Sequence, residues 1–209
     1  MNFNGDGKIY SKRRSIKEKN FKMEPEVEEE DKSSEMLHCD LINSINIIIT
    51  EIIEESQLKE KNKKEKTAHN SSDSLTTDEL SKEDPTLLFL SRKPPKISII
   101  NYLERILRYS KIEESTLIIM LIYIDRLCDF NDLILNKYNI HRIMMTSVLI
   151  AIKYNEDDYY SNKYYAKVGG IPLTEINTLE IEFMKLVKYS LFVNESLFNT
   201  YNNYLKNLK

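Results

Sequence analysis

Residues 139–171 read NIHRIMMTSVLIAIKYNEDDYYSNKYYAKVGGI, and this stretch decides the fold. From Ile143 to Ile152, apolar residues occupy nearly every face of a helix, so the sequence predicts a helix that other helices surround. We expect Asn139 to cap this helix and the polar run that begins at Asn155 to end it, because short polar side chains compete for the backbone. The pattern predicts the central helix of an all-α domain.

A short aromatic helix, a glycine pair and another long helix are predicted to follow. Residues 162–168 form the short helix, and Gly169-Gly170 provides the backbone freedom for a sharp reversal. Pro172 fixes φ just ahead of the next helix, for which Thr174 is the predicted N-cap. The sequence thus predicts a tight connection between two helices on the carboxyl side of the central one.

Helical spacing of apolar residues predicts four further helices. They cover residues 36–58, 97–109, 115–128 and 195–205. The first of them is amphipathic and too short for a sustained coiled coil, so we expect it to dock on the main domain. Because the second half of the chain shows no strand pattern, the predicted fold class is all-α.

The chain is expected to divide into four parts. Residues 1–35 form a charged tail with too few large apolar groups to offset the entropy of ordering, so we expect disorder there. The amphipathic helix at 36–58 comes next, and residues 59–86 form a flexible linker or insertion rich in Lys, Glu, Ser and Thr. Residues 87–209 hold the compact domain, which ends in a C-terminal helix.

The composition argues against several classes of protein. The sequence has 30 Lys and Arg against 33 Asp and Glu, a formal charge of -3, whereas proteins that coat duplex nucleic acid need a basic surface. We find no signal peptide and no apolar run of membrane-spanning length. We therefore expect a soluble protein of the cytoplasm or nucleus, with no nucleic-acid or membrane partner.

The sequence shows no recognisable catalytic or metal-binding constellation. The cysteines Cys39 and Cys128 fit reduced thiols, and together with His38, His69 and His141 they lack the spacing of a closed zinc site. We therefore expect no metal and no cofactor. Phosphate-binding glycine loops, nucleophile elbows and HExxH motifs are missing as well, so we expect a protein that is not an enzyme.

One acidic residue stands out within the apolar pattern. Asp125 lies in the helix predicted at 115–128, which is apolar almost all round, and a lone buried carboxylate is costly. We therefore expect Asp125 to be a buried structural acid that pairs with a base from the preceding helix region. Lys96 and Arg105 are the candidates.

Two predicted helices carry charged residues at the edges of apolar stripes. Helical spacing places Ile150, Lys153 and Tyr154 on one face of the central helix, and Glu180 and Met184 on one face of the next long helix. These residues could form a binding patch with an apolar centre and orienting charges. Alternatively, Lys153 and Glu180 pair with each other or with solvent, which spacing alone favours.

Four segments carry a resemblance to a known family. They are PPKISIINYLERI at 94–106, YIDRL at 123–127, HRIMMTSVLIAIKYNEDDYYSNKYYAKVGGI at 141–171 and TEINTLEIEF at 174–183. The chain from Met36 to its end resembles the cyclin box, and more narrowly the P-type or U-type cyclins related to the fungal phosphate-response cyclin. The resemblance implies a single five-helix cyclin box with an amphipathic N-terminal helix and a C-terminal helix.

The same resemblance implies a partner and a binding face. Cyclins bind and allosterically activate a cyclin-dependent protein kinase through the third and fifth box helices, which here are residues 140–154 and 174–189. Lys153 and Glu180 stand where cyclins hydrogen-bond the kinase. The implied apolar contacts are Ile150, Tyr154, Met184, Tyr189 and Leu191.

Two further interpretations stay open at this stage. Glu156, Asp157 and Asp158 could face the arginine cluster of the kinase activation segment in place of an activating phosphate, since carboxylates and phosphates both satisfy arginine forks. A solvated helix terminus explains the same run equally well. The alternative for the whole protein is a non-activating cyclin-box scaffold or adaptor that binds other proteins.

Overall fold

The computed structural model describes residues 16–17, 32–67, 84–110 and 112–208. The described residues form seven α-helices, which are α1 Lys32–Thr67, α2 Ile99–Ser110, α3 Glu114–Asn131, α4 Ile140–Asn155, α5 Asn162–Gly169, α6 Leu173–Leu186 and α7 Glu195–Asn207. A 3-10 turn covers Pro85–Phe89, and two short strands, β1 Ile16–Lys17 and β2 Tyr159–Tyr160, pair in parallel. The all-α prediction is confirmed, with α2 to α6 as the five helices between α1 and α7.

Helix α4 is the centre of the fold, as predicted. Every residue from Ile143 to Ile152 is buried, because α3, α6, α2 and α5 pack around this helix. The helix ends at Asn155, at the start of the predicted polar run. Asn139 is its N-cap residue but caps no helix amide. Its side chain instead accepts a 2.9 Å hydrogen bond from the Asn136 amide and donates one of 2.9 Å to the Ile134 carbonyl, which fixes the preceding turn.

The glycine pair makes the predicted reversal between α5 and α6. Gly170 has φ +65°, in the left-handed region that favours glycine, and a Cβ on Gly169 would lie 2.6 Å from Cγ of Met145. Helix α6 begins at Leu173, so the prediction of Thr174 as its N-cap is wrong. Pro172 takes that position because its carbonyl already accepts the Ile176 amide at 2.9 Å.

Helix α6 is shorter at its carboxyl end than the predicted range, which ran to residue 189. It ends at Leu186, because Lys188 and Tyr189 adopt the left-handed conformation with φ 53° and 55°. The amide of Tyr189 reaches back to the carbonyl of Met184 at 2.8 Å and closes the last turn. The residues that follow therefore form a turn rather than more helix.

Helix α1 is longer than the predicted 36–58 and continues to Thr67, through the first part of the predicted linker. It packs against α2, α3 and α7 through the buried side chains of Ile42, Ile45 and Ile49. Most of the predicted tail and residues 68–83 of the predicted linker lie outside the described residues. Within the tail, Ile16–Lys17 forms β1, and α1 begins at Lys32.

The prediction that Asp125 is buried and paired with a base is wrong. Asp125 is exposed, and the hydroxyl of Tyr201 on α7 donates a hydrogen bond to its carboxylate. Arg105 instead donates to the carbonyl of Lys167 at 3.1 Å. Helix α3 looks apolar all round because α1 and α7 cover its outer side, and Asp125 lies where that cover ends.

Candidate functional site

An ion pair joins the carboxyl end of α4 to the middle of α6. Lys153 Nζ lies 2.6 Å from Glu180 Oε1, and the two side chains keep 29% and 13% of their surface exposed. Lys153 and Glu180 therefore pair with each other, while a role of the two residues in binding a partner stays a prediction. The pair is half-buried rather than fully solvated, so its atoms have a defined place on the surface between the two helices.

The second oxygen of Glu180 is held by a residue that the sequence did not point to. Asn162, the first residue of α5, donates to Glu180 Oε2 at 2.8 Å and to Asn177 Oδ1 at 2.7 Å. Three helices therefore converge on one carboxylate and fix its orientation. An asparagine at a helix start is ordinarily interpreted as a cap, so no sequence pattern pointed to this role.

The predicted apolar contacts differ in how accessible they are. Tyr154 is 43% exposed beside Lys153, and Tyr189 is 65% exposed after α6, while Met184 and Leu191 are partly buried. Ile150 is 2% exposed and belongs to the core, because the helices around α4 cover its face. Ile150 is therefore not available for contact with a partner, whereas the other four residues keep part of their surface accessible.

The three acidic residues after α4 do not form one patch. Glu156 is half-buried, and its Oε1 accepts a 2.5 Å hydrogen bond from the hydroxyl of Thr116, a buried residue in the first turn of α3. Asp157 and Asp158 are exposed. The interpretation of three equivalent carboxylates is corrected accordingly, since the first of them ties two helices together and the other two face solvent.

A tyrosine cluster supports the loop that carries these acids. The rings of Tyr160 and Tyr164 stack with centroids 4.1 Å apart, and Tyr165 packs edge-on against Tyr164 at 5.6 Å. The hydroxyl of Tyr164 donates to the carbonyl of Tyr109 on α2. Burial raises the pKa of Tyr164 to about 12, so the phenol stays a neutral donor. The tyrosine cluster therefore holds in place the loop that carries the three acidic residues.

Side chains of α3 hold the segment that leads from α6 to α7. The hydroxyl of Tyr123 donates to the Leu191 carbonyl at 2.7 Å, and Arg126 donates to the carbonyls of Ser190 and Phe192 at 2.7 and 3.0 Å. Burial raises the pKa of Tyr123 to about 12, which keeps this donor protonated. The positions of Leu191 and its neighbours therefore depend on α3 as well as on α6.

Nothing in the described part of the chain is arranged as a metal site, because it holds no cluster of three or more His, Cys, Asp or Glu side chains suited to an ion. His141 is buried, with Nε2 3.0 Å from the Ile97 carbonyl and the ring edge-on to Tyr102. Burial lowers the pKa of His141, so the ring is a neutral core residue. No helix among the described residues has both the length and the apolar character to cross a bilayer.

Comparison with known proteins gives consistent matches. The cyclin family model matches residues 40–191, which include part of α1 and all of α2 to α6. Cyclin-U2-1 of Arabidopsis thaliana is 43% identical over 117 residues, which make up 56% of this chain and 53% of that protein. PHO85 cyclin-like protein psl1 of Schizosaccharomyces pombe is 36% identical over 136 residues, 64% of this chain and 56% of that protein.

PHO85 cyclin-7 of Saccharomyces cerevisiae is a further relative, 35% identical over 133 residues that cover 58% of this chain and 47% of that protein. The chain thus spans about half the length of the curated relatives that it matches. The family model nevertheless covers well over half of the chain and coincides with the five-helix arrangement around α4. The chain therefore belongs to the cyclin family and is similar to the U-type and PHO85 cyclins.

Proposed function

We propose that this chain is a regulatory cyclin subunit that binds a cyclin-dependent protein kinase through α4 and α6 and activates it allosterically. The observation that carries the proposal is the half-buried pair of Lys153 and Glu180, which joins the two helices at 2.6 Å. Tyr154 on α4 and Tyr189 just after α6 are exposed and offer apolar area for a partner. The names of two relatives, PHO85 cyclin-like protein psl1 and PHO85 cyclin-7, support a kinase of the PHO85 type as the partner.

The arrangement suits a protein interface for a physical reason. Specific interfaces combine an apolar centre with polar groups that fix orientation, and affinity rises when these groups are ordered before binding. Lys153 and Asn162 already hold Glu180 in place, so a partner does not have to order that side chain. The buried core of α4 makes the platform beneath them rigid.

Activation then follows from differential binding. A kinase that exchanges between two conformers shifts toward the one that the cyclin binds more tightly, by the difference in binding free energy. We propose that the α4–α6 surface favours the conformer in which the regulatory helix of the kinase is swung in, so that its glutamate meets the lysine that positions ATP. The cyclin itself performs no chemistry in this account.

The test compares two double variants in which an ion pair between α4 and α6 is removed. Lys153→Ala/Glu180→Ala removes the proposed contact, while Arg142→Ala/Glu175→Ala removes a 2.5 Å pair between the same helices. Arg142 lies about three turns from Lys153 on α4. Removing both partners at once avoids leaving an unpaired charge.

Purified wild-type protein is expected to bind a PHO85-type kinase and raise its activity. The Lys153/Glu180 double variant should lose both effects, and the Arg142/Glu175 control should keep them. Kinase binding without any rise in activity would favour the non-activating scaffold. Equal kinase binding by wild type and the Lys153/Glu180 variant would show that another surface is used.

A further inference from the structure

The connection between α4 and α5 contains the short strand β2, Tyr159–Tyr160, which lies within the candidate site. The acidic run 156–158 precedes the strand, and Asn162, which holds Glu180, follows it. Both tyrosines of β2 pack partly against the core. The strand therefore links the exposed acids to the residue that orients Glu180.

The domain binds the inner side of β2. The amide of Tyr160 donates to the hydroxyl of Tyr165 at 3.2 Å, and Tyr165 is buried. Because the backbone groups of consecutive residues point to opposite sides of a strand, those of Tyr159 point away from Tyr165. The backbone of Tyr159 therefore forms an edge to which another extended segment can add.

A segment of the chain itself occupies this edge. Strand β1, Ile16–Lys17, pairs with β2 in parallel, with Ile16 opposite Tyr159 and Lys17 opposite Tyr160. A segment that is covalently linked to its docking site has a high effective concentration there. An isolated pair of such short strands is nevertheless only marginally stable. The contact can therefore both form and be displaced.

The charges that precede the two strands are complementary. The sequence just before Ile16 contains the basic run 12–14, Lys-Arg-Arg, and the sequence just before Tyr159 is the acidic run 156–158. Because parallel strands begin at the same end of the ladder, this charge order favours the parallel orientation over the antiparallel one. An arginine cluster of a kinase activation segment carries the same charge as the basic run, so the two would compete for one acidic run.

We propose that the edge of β2 is a docking site for the segment around Ile16–Lys17 and that β1, when docked, competes with the kinase. The inference rests on the proposed function, because the competing partner is the kinase. The occupant is the one that the structure places on the edge. If β1 has to leave before the kinase binds, a chain whose β1 pairs with β2 has a lower apparent affinity than a chain whose β1 cannot pair.

The docking of β1 is tested in the full chain without any kinase. Lys17→Pro removes the backbone N–H that donates to the carbonyl of Tyr159 in a parallel ladder with Ile16 opposite Tyr159. The matched control is Lys17→Ala, which loses the same charge but keeps the N–H. Hydrogen exchange of the Tyr159 amide should be about fivefold faster or more in Lys17→Pro than in Lys17→Ala. The Tyr160 amide, bound to Tyr165, should exchange equally in both.

The competition is tested by kinase affinity in the same two variants. Lys17→Pro should bind a PHO85-type kinase about fivefold more tightly than Lys17→Ala, because no docked strand has to be displaced. Titration calorimetry gives both affinities. Near-ultraviolet circular dichroism and thermal unfolding verify that each variant is folded.

The outcomes separate this inference from the proposed function. Equal exchange of the Tyr159 amide in the two variants overturns the docking of β1, whether or not a kinase binds. Faster exchange with equal or weaker kinase binding by Lys17→Pro overturns the competition while the kinase proposal stands. If neither the wild type nor either variant binds a kinase, the proposed function fails and the competition fails with it, while the exchange data still decide whether β1 docks.

Discussion

Lys153 Nζ on α4 lies 2.6 Å from Glu180 Oε1 on α6, and Asn162 on α5 holds the other oxygen of the same carboxylate at 2.8 Å. Contacts within the chain therefore already order the Lys153 and Glu180 side chains before any partner binds. This raises the question of whether the ion pair serves mainly the fold or mainly the proposed interface, and the two roles predict different responses to mutation.

We predict that the ion pair contributes little to stability and much to kinase affinity. Partly exposed ion pairs are screened by solvent and contribute about 0–1 kcal/mol, so Lys153→Ala/Glu180→Ala should lower the free energy of unfolding by about 1 kcal/mol or less. Its affinity for the kinase should fall by at least about tenfold. Urea denaturation and titration calorimetry on one preparation give both values. A large loss of stability with unchanged affinity would assign the pair to the fold.

We predict that Asp157 and Asp158, the two exposed acids after α4, contribute to kinase activation and that Glu156 does not. Asp157→Asn/Asp158→Asn should lower the activity of the complex formed with unphosphorylated kinase, because the two carboxylates would no longer satisfy arginines of the activation segment. Glu156→Gln is the control, since Glu156 is bound to Thr116. The measurement is kinase activity with and without the activation-segment phosphate. Identical activity of the complexes with wild type, Asp157→Asn/Asp158→Asn and Glu156→Gln would show that residues 156–158 are only a solvated helix end.

The contact between Asp125 and Tyr201 is predicted to stabilise the packing of α7 on α3. A double-mutant cycle with Asp125→Asn and Tyr201→Phe should give a coupling energy of about 0.5–1.5 kcal/mol, typical of one hydrogen bond. The corresponding cycle between Asp125→Asn and Arg105→Ala should give none, because Arg105 binds a different group. Coupling to Arg105 rather than to Tyr201 would restore the pairing expected from the sequence.

His141 is predicted to make the fold less stable in mild acid. Burial holds the pKa of His141 below its ordinary 6.5, so the unfolded state takes up the proton first. The free energy of unfolding should therefore fall as the pH drops below 6.5 and stop falling once the folded-state pKa is passed. His141 Nδ1 has no hydrogen-bond partner among the described residues, so a second N–H there would be unsatisfied.

The measurement for His141 is the difference between wild type and His141→Gln, whose amide can still donate to the Ile97 carbonyl. Urea denaturation from about pH 7 to about pH 5 should show a steeper loss in wild type, since the variant has no proton to gain there. If the free energy of unfolding fell equally with pH in wild type and His141→Gln, the pH dependence would come from carboxylates elsewhere and not from His141.

Local features of the fold were predictable because they depend on residues close together in the sequence. The all-round apolar pattern from Ile143 to Ile152 identified the buried helix, and Gly169-Gly170 identified the reversal. The N-cap of α6 was misplaced by two residues, at Thr174 instead of Pro172, because both residue types are acceptable there and only the carbonyl geometry distinguishes them.

Features that depend on distant segments were not predictable. Whether Asp125 is buried depends on how far α7 covers α3. Tyr123 and Arg126 donate hydrogen bonds to backbone carbonyls. Every residue has such a carbonyl, so the sequence could not indicate which ones these side chains would bind. Helical spacing drew attention to Lys153 and Glu180, and the family resemblance implied their kinase-binding role, whereas Asn162 emerged only from the convergence of α5 and α6.

The most direct test of the central claim is site-specific photocrosslinking to the kinase. A benzophenone amino acid at position 154, beside Lys153 and 43% exposed, should crosslink to a PHO85-type kinase, and the attachment should map to the regulatory helix region. The same probe at Tyr138, which is 39% exposed just before α4 begins, should give no kinase adduct. Crosslinking from position 138 but not from position 154 would contradict the assignment of the α4–α6 surface.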